Sequence, residues 1–194
     1  ADKEHDLGEG YSPADLVELD DYRISRSRAG MQLRAVALPD ALAMAAAAEN
    51  EGIKLVFSSA YRSYAYQKTV YTRNVRELGR EQADRESAQP GKSQHQLGTT
   101  IDFGSITDEF AETPGGKWLY ANAWKYGYSL SYPRGHESLT GYRHEIWHYR
   151  YISRPAARME REFFDSVQYY LLVFLADHLE QLRGAYTTGN DNST

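Results

Sequence analysis

The sequence predicts an α+β domain: a small central antiparallel sheet flanked by helices, with an extra helix at its C-terminal end. Three observations predict it. Short apolar runs with turn residues around them recur at 54–59, 99–103, 128–132 and 143–152, and these read as strands. Segments with helical start and stop signals stand between them, at 39–51, 64–78 and 115–126. From Pro155 to about Arg183, Phe163, Val167, Tyr170, Leu171, Phe174 and Leu182 recur mostly at spacings of three and four, which is helical periodicity.

Residues 1–20 are polar, with Gly8, Gly10 and Pro13, and read as a weakly ordered arm. The domain proper is expected over 21–184, with a short strand around Gln32–Val36. Pro39 opens the first helix, Asp40 sits in its first turn, the alanine run 41–48 has high helix propensity, and Gly52 supplies a stop. Lys54–Ser59 is a strand. Ser63 is a reasonable N-cap and Gly79 a reasonable stop for the second helix, whose buried stripe is predicted at Tyr71, Val75 and Leu78. Gln67 lies one turn earlier on that face and must find partners, either a ligand or a backbone carbonyl. Residues 80–94 are charged and then turn-like. Thr113-Pro114 starts the third helix, which Gly127 closes, and strands follow at Tyr128–Tyr132 and Arg143–Ile152. The helical stretch 155–183 is expected to dock as one extra helix or to form a dimer contact, and residues 185–194 to be a disordered tail.

At 194 residues, with 41% hydrophobic and 25% charged residues, the chain can bury one substantial core. A net charge of −5 argues against nucleic acid as a partner. The absence of cysteine removes thiol catalysis, disulfides and cysteine-based zinc sites. No apolar run reaches the roughly 18 residues a membrane span needs, so the chain is not expected to be membrane-spanning. Oligomeric state is not encoded in any pattern we recognise. The 16 tyrosines fit a wet groove lined with rings, or half-buried core edges.

The chemistry concentrates in two segments, Pro90–Phe103 and Gly141–Tyr149. Together they hold two imidazoles, His95 and His148, and two carboxylates, Asp102 and Glu145. Two histidines and one carboxylate suffice to hold zinc with a position left open, and a second carboxylate can serve as a base. His95 and Asp102 are seven apart across Gly98, so a loop entering a strand is required to bring them together. Glu145 and His148 are three apart and would face opposite sides of a regular strand, so a bulge or turn must lie between them if both serve one site.

Ser93-x-His95-x-x-Gly98-x-Thr100-x-Asp102 with Glu145-x-Trp147-His148 resembles the zinc D-Ala-D-Ala carboxypeptidases, the VanY-like family, whose relatives include D-Ala-D-Ala dipeptidases, the hedgehog domain and lysostaphin-type peptidases. Ser59-Ala60-Tyr61-Arg62-Ser63 with Gln67 extends the resemblance, which covers roughly residues 35–155. It implies one zinc ion per chain, held by His95, Asp102 and His148 on the sheet. It implies Glu145 as general base toward a zinc-bound water, Arg62 as the oxyanion partner, and Gln67 and Ser93 touching substrate. The implied reaction removes the C-terminal D-alanine from a peptidoglycan stem peptide; L,D-carboxypeptidase, endopeptidase and non-catalytic binding-module readings share the same ligand set. An extracytoplasmic location, periplasm or cell envelope, follows from that substrate class. Thr100 stands where the family commonly has alanine, and His144 and His136 are the nearby histidines that could close the site as a fourth ligand.

Overall fold

The computed structural model describes residues 1–183; the expected tail at 185–194 lies outside them. Its centre is a five-stranded sheet in the order β2-β4-β5-β7-β6, formed by β2 (Ser25–Arg26), β4 (Val56–Ser59), β5 (Thr100–Phe103), β7 (His148–Tyr151) and β6 (Tyr128–Leu130). All neighbours are antiparallel except β2 against β4, which is parallel. The expected sheet is therefore antiparallel at its core, with one parallel edge strand that the sequence pattern did not mark. A separate ribbon pairs β1 (Leu16–Glu18) with β3 (Gln32–Arg34).

The central strand explains how one sheet serves both packing and chemistry. All four residues of β5 are buried. Side chains alternate along a strand, so Ile101 and Phe103 share one face and Thr100 and Asp102 the other. The apolar face meets Phe57 and Tyr149, with ring centroids 5.0 and 6.0 Å from Phe103. Met44 of α1 (Leu38–Asn50) and Leu119 of α4 (Pro114–Asn122) complete the same core. The polar face is left for the site.

Helix α1 begins where expected, and Asp40 does more than complement the helix dipole: it accepts hydrogen bonds from Tyr151 at 2.9 Å and Arg154 at 2.7 Å, tying α1 to the end of β7. Helix α2 (Tyr64–Leu78) starts at Ser63, whose hydroxyl accepts from the Tyr66 N–H at 3.2 Å, and ends at Gly79 with a φ of +79°. Its stripe is shallower than predicted. Leu78 is 46% exposed and only Gln67 is fully buried, because α2 packs on α3 and beside a groove rather than on the sheet. Helix α3 (Arg80–Glu86) occupies a stretch read as charged loop.

Three further expectations are corrected. The last strand is shorter than 143–152: β7 spans four residues, and 143–147 is irregular, preceded by the short helix α5 (Glu137–Thr140). The C-terminal helical region is two helices, α6 (Arg154–Phe163) and α7 (Gln168–Asp177), broken where Asp165 and Ser166 take positive φ. The N-terminal arm is tied down. Leu19 is fully buried, the Leu7 N–H donates to the Gly91 carbonyl at 2.9 Å, and the Lys3 ammonium lies 4.0 Å from the centre of the Tyr142 ring. No helix among the described residues is long and apolar enough to cross a membrane.

Candidate active site

The sheet's polar face gathers the predicted residues on three adjacent strands. Asp102 on β5 lies opposite Ser59 on β4 and His148 on β7. The β4 register slips between Phe57 and Ser59, a bulge that turns the chain toward the site and leads into Arg62. His95 comes from a single 3-10 turn, Gln94–Leu97, capped by Ser93. That turn ends at Gly98, whose φ of +69° reverses the chain into β5; a side chain there would also press on Arg34 and Leu16. The predicted turn between Glu145 and His148 is present, closed by the His148 N–H donating to the Glu145 carbonyl at 3.1 Å.

His95 Nε2 is 3.1 Å from Asp102 Oδ2, and His148 Nδ1 is 3.1 Å from Asp102 Oδ1. The opposite ring nitrogens define the tautomers. His95 Nδ1 faces the Ala60 carbonyl at 2.7 Å and His148 Nε2 faces Gln94 Oε1 at 3.2 Å, so each of these carries the proton. The inner nitrogens are then lone pairs aimed at a carboxylate. Burial holds His95 down at about 4, so it is neutral at ordinary pH. Three acceptor atoms thus converge without a proton to share, and Asp102 Oδ1 is buried with no hydrogen-bond donor. This donor set fits a cation of N/O preference, and among the described residues it is the one such group, with its ligand atoms within 4.8 Å of one another. His144 and His136 do not join it: their rings engage the backbone carbonyls of Tyr132 and Arg134.

Glu145 Oε2 is 3.5 Å from His148 Nδ1, inside the same pocket. Burial pushes its carboxyl up to about 7; Asp102 adds to this, while His148, Arg143 and Arg62 oppose it. A carboxyl poised near neutrality beside a metal can take a proton and return it.

Arg62 is held at both arms, donating to Gln67 Oε1 at 2.8 Å and Ser59 Oγ at 3.2 Å, with Asp102 Oδ2 3.8 Å away. Burial lowers its pKa and Asp102 counters this. Gln67, for which substrate contact was expected, lies behind Arg62. It has no exposed surface, and its amide donates to the Ala88 carbonyl at 2.6 Å, so it braces Arg62 from behind. Ser93 lines the groove beside His95, its hydroxyl also accepting from the His95 N–H at 3.3 Å.

The groove has a volume of about 720 Å³ and carries Tyr66, Asn74, Tyr132, Tyr142 and Trp147 on its walls. Arg143 lines it, paired with Asp108 at 3.0 Å. Sequence reasoning missed Arg28 and Arg73, which also line it. No motif marks them, and Arg28 arrives through the unforeseen parallel pairing of β2.

A polar sheet face with one cation-shaped donor set, an adjoining carboxyl and a braced guanidinium is the equipment of a single-metal hydrolase. The family model described as VanY, D-alanyl-D-alanine carboxypeptidase, matches residues 30–154, and the chain belongs to this family. The putative carboxypeptidase YodJ of Bacillus subtilis (strain 168) is 33% identical over 180 residues, covering 86% of this chain and 66% of its own length. The chain spans 33–56% of the other curated relatives it matches. Among solved structures, the LdcB LD-carboxypeptidase superposes with a TM-score of 0.80 at 32% identity, covering 88% of this chain and 83% of its own. The vancomycin-resistance D,D-pentapeptidase VanY in complex with Zn(II) shares the fold, with a TM-score of 0.74 at 23% identity over 88% of this chain and 96% of its own.

Proposed function

We propose that this chain is a zinc-dependent carboxypeptidase that removes the C-terminal D-alanine from peptidoglycan stem peptides, acting as a D,D-carboxypeptidase. The observation that carries the reading is the set of three convergent, proton-free acceptors on His95, Asp102 and His148 beside the near-neutral carboxyl of Glu145. Zinc is the ion those ligands favour, and when bound it supplies Lewis acidity to the reacting water and carbonyl.

The chain's own groups do the rest. Glu145 takes the proton of the attacking water as the C–O bond forms, and returns it to the departing amine of D-alanine as the C–N bond breaks. Arg62 faces the developing oxyanion; its fork, fixed by Gln67 and Ser59, needs no reorganisation at that moment. Ser93 and the tyrosine-lined walls orient the peptide. The proposed substrate class supports a location outside the cytoplasmic membrane, in the periplasm or cell envelope. The acidic net charge gives no long-range pull on an anionic peptide, so Arg28, Arg73 and Arg143 in the groove would supply local attraction.

A second reading is an L,D-carboxypeptidase acting on tetrapeptide stems, favoured by the likeness to LdcB. Digests of a defined pentapeptide and tetrapeptide, read by mass with zinc and then with chelator, separate the two. Loss of one alanine from the pentapeptide supports D,D action; loss from the tetrapeptide alone supports L,D action. An internal cut would point to an endopeptidase. No cleavage by a zinc-loaded protein would overturn the enzymatic reading. Glu145→Ala is expected to retain zinc and abolish turnover.

A further inference from the structure

Gln94 occupies a position that the catalytic account leaves unused. It is 6% exposed, and its side-chain oxygen accepts two hydrogen bonds, from His148 Nε2 at 3.2 Å and from the Ser131 hydroxyl at 2.6 Å. Its amide nitrogen donates to Gln168 Oε1 at 3.5 Å, and the Gln168 amide donates back to Ser131 at 3.4 Å. The ring of three polar side chains closes with every member paired, and with His148 Nδ1 turned to Asp102 it is the Gln94 oxygen that meets His148 Nε2. Ser131 accepts from Gln168 and donates to Gln94. The backbone holds Gln94 from the other side, where the Thr100 hydroxyl donates to its carbonyl at 3.1 Å.

We propose that Gln94 is a positioning residue for the metal ligand His148, and that α7, through Gln168, belongs to the outer layer of the metal site. The proposal rests on the zinc reading above. An acceptor on Nε2 keeps the proton there and leaves the Nδ1 lone pair for the ion; it also fixes the plane of the ring and raises its basicity. The two links differ in strength. The 2.6 Å and 3.2 Å contacts form the direct brace, and the two longer contacts from Gln168 orient it. Gln168 is 2% exposed and opens α7, which lies beyond residues 30–154, the part of the chain the family model matches. The extra helix thus has a task at the metal site and is more than a covering element. The same network borders a cavity of about 280 Å³ that Asp2 and Arg150 also line. A carboxylate at position 94 would keep both accepting roles.

The test measures zinc affinity by competition with a chromogenic chelator, and the visible spectrum of the cobalt(II)-loaded protein, for the wild type and four variants. Gln94→Leu is expected to raise the zinc Kd about 10- to 100-fold and to shift the cobalt bands, the usual cost of removing such a partner. Gln94→Glu is expected to stay within about threefold of the wild type, because it still accepts both bonds. Gln168→Leu is expected to raise Kd about three- to tenfold, acting through Gln94. Asp177→Ala, an exposed position at the end of α7 away from that cavity, should leave both readouts unchanged. Wild-type affinity and spectrum in Gln94→Leu would overturn the brace. A Gln94→Glu protein as weak as Gln94→Leu would overturn the acceptor role. Unchanged binding in Gln168→Leu would remove α7 from the site. If Gln94→Leu does not fold, as judged by circular dichroism, the glutamate and Gln168 variants decide. A wild type that binds no zinc would instead overturn the underlying metal assignment.

Discussion

Replacing Asp102 by asparagine should move the metal-free and zinc-loaded proteins in opposite directions. Without metal, Asp102 places one oxygen 3.1 Å from His95 Nε2 and the other 3.1 Å from His148 Nδ1, and both nitrogens are lone pairs. Burying an acceptor with no donor costs about 1–3 kcal/mol. An asparagine amide offers a donor of the same shape to one of these nitrogens. Part of the gain is offset by losing the attraction for Arg62, 3.8 Å away. A net stabilisation of about 1–2 kcal/mol corresponds to about 2–8 °C in Tm for a chain of this size. The wild type with zinc at about 100 times its Kd gains about 2.7 kcal/mol, or about 5–11 °C, and the D102N protein should gain almost none. The assay is thermal unfolding at pH 8, with chelator and with zinc. His95, held near 4, is neutral at that pH. A metal-free D102N protein melting at or below the metal-free wild type would show that the three acceptors do not repel, and the argument from their convergence would fail.

Glu160 is 4% exposed in α6, and burial raises its pKa from 4.5 to about 7, with the Ser129 hydroxyl opposing. The folded state therefore binds this proton more tightly than the unfolded chain does. Its contribution is complete below about pH 4.5 and is lost as pH rises through about 7, on the order of 3 kcal/mol in all. Glu160→Gln should flatten that loss and stabilise the protein at pH 8 by about 1–3 kcal/mol in denaturant titrations; an unchanged pH profile would refute it. Gly116→Ala would drive a methyl into the Phe110 backbone carbonyl at the start of α4, and should cost about 2–4 kcal/mol by the same titrations. Gln67→Leu leaves one arm of Arg62 without an acceptor and should lower kcat about tenfold or more with zinc content unchanged, as measured on the preferred stem peptide.

Much of the frame was legible because local rules and tertiary packing agree there. Helix α2 begins and ends at its predicted Ser63 and Gly79, and β5 sits within one residue of its predicted span. The errors arose where tertiary contacts overrule local pattern. The run 143–152 reads as one strand, yet the site needs Glu145 and His148 on the same side, and a turn replaces the strand's first half. Nothing in the apolar spacing marks the break between α6 and α7, because Asp165 and Ser166 adopt positive φ where glycine would have announced it. Of the site, spacing supplied only the requirement for a loop and a turn; the ligand set came from the resemblance. The brace that Gln67 gives Arg62 was half visible, as a polar residue on a buried face needing a partner.

The ladder of Ser59, Asp102 and His148 across β4, β5 and β7 makes the metal site a product of long-range pairing. His95 and Asp102 are seven apart in the chain, but His148 comes from a distant strand, so completing the set in an unfolded chain costs loop-closure entropy. The ion therefore cannot template this fold as it does in a small zinc finger. Its capture marks the moment when the central strands have found their register, so the rate of zinc uptake during refolding would time the assembly of the sheet.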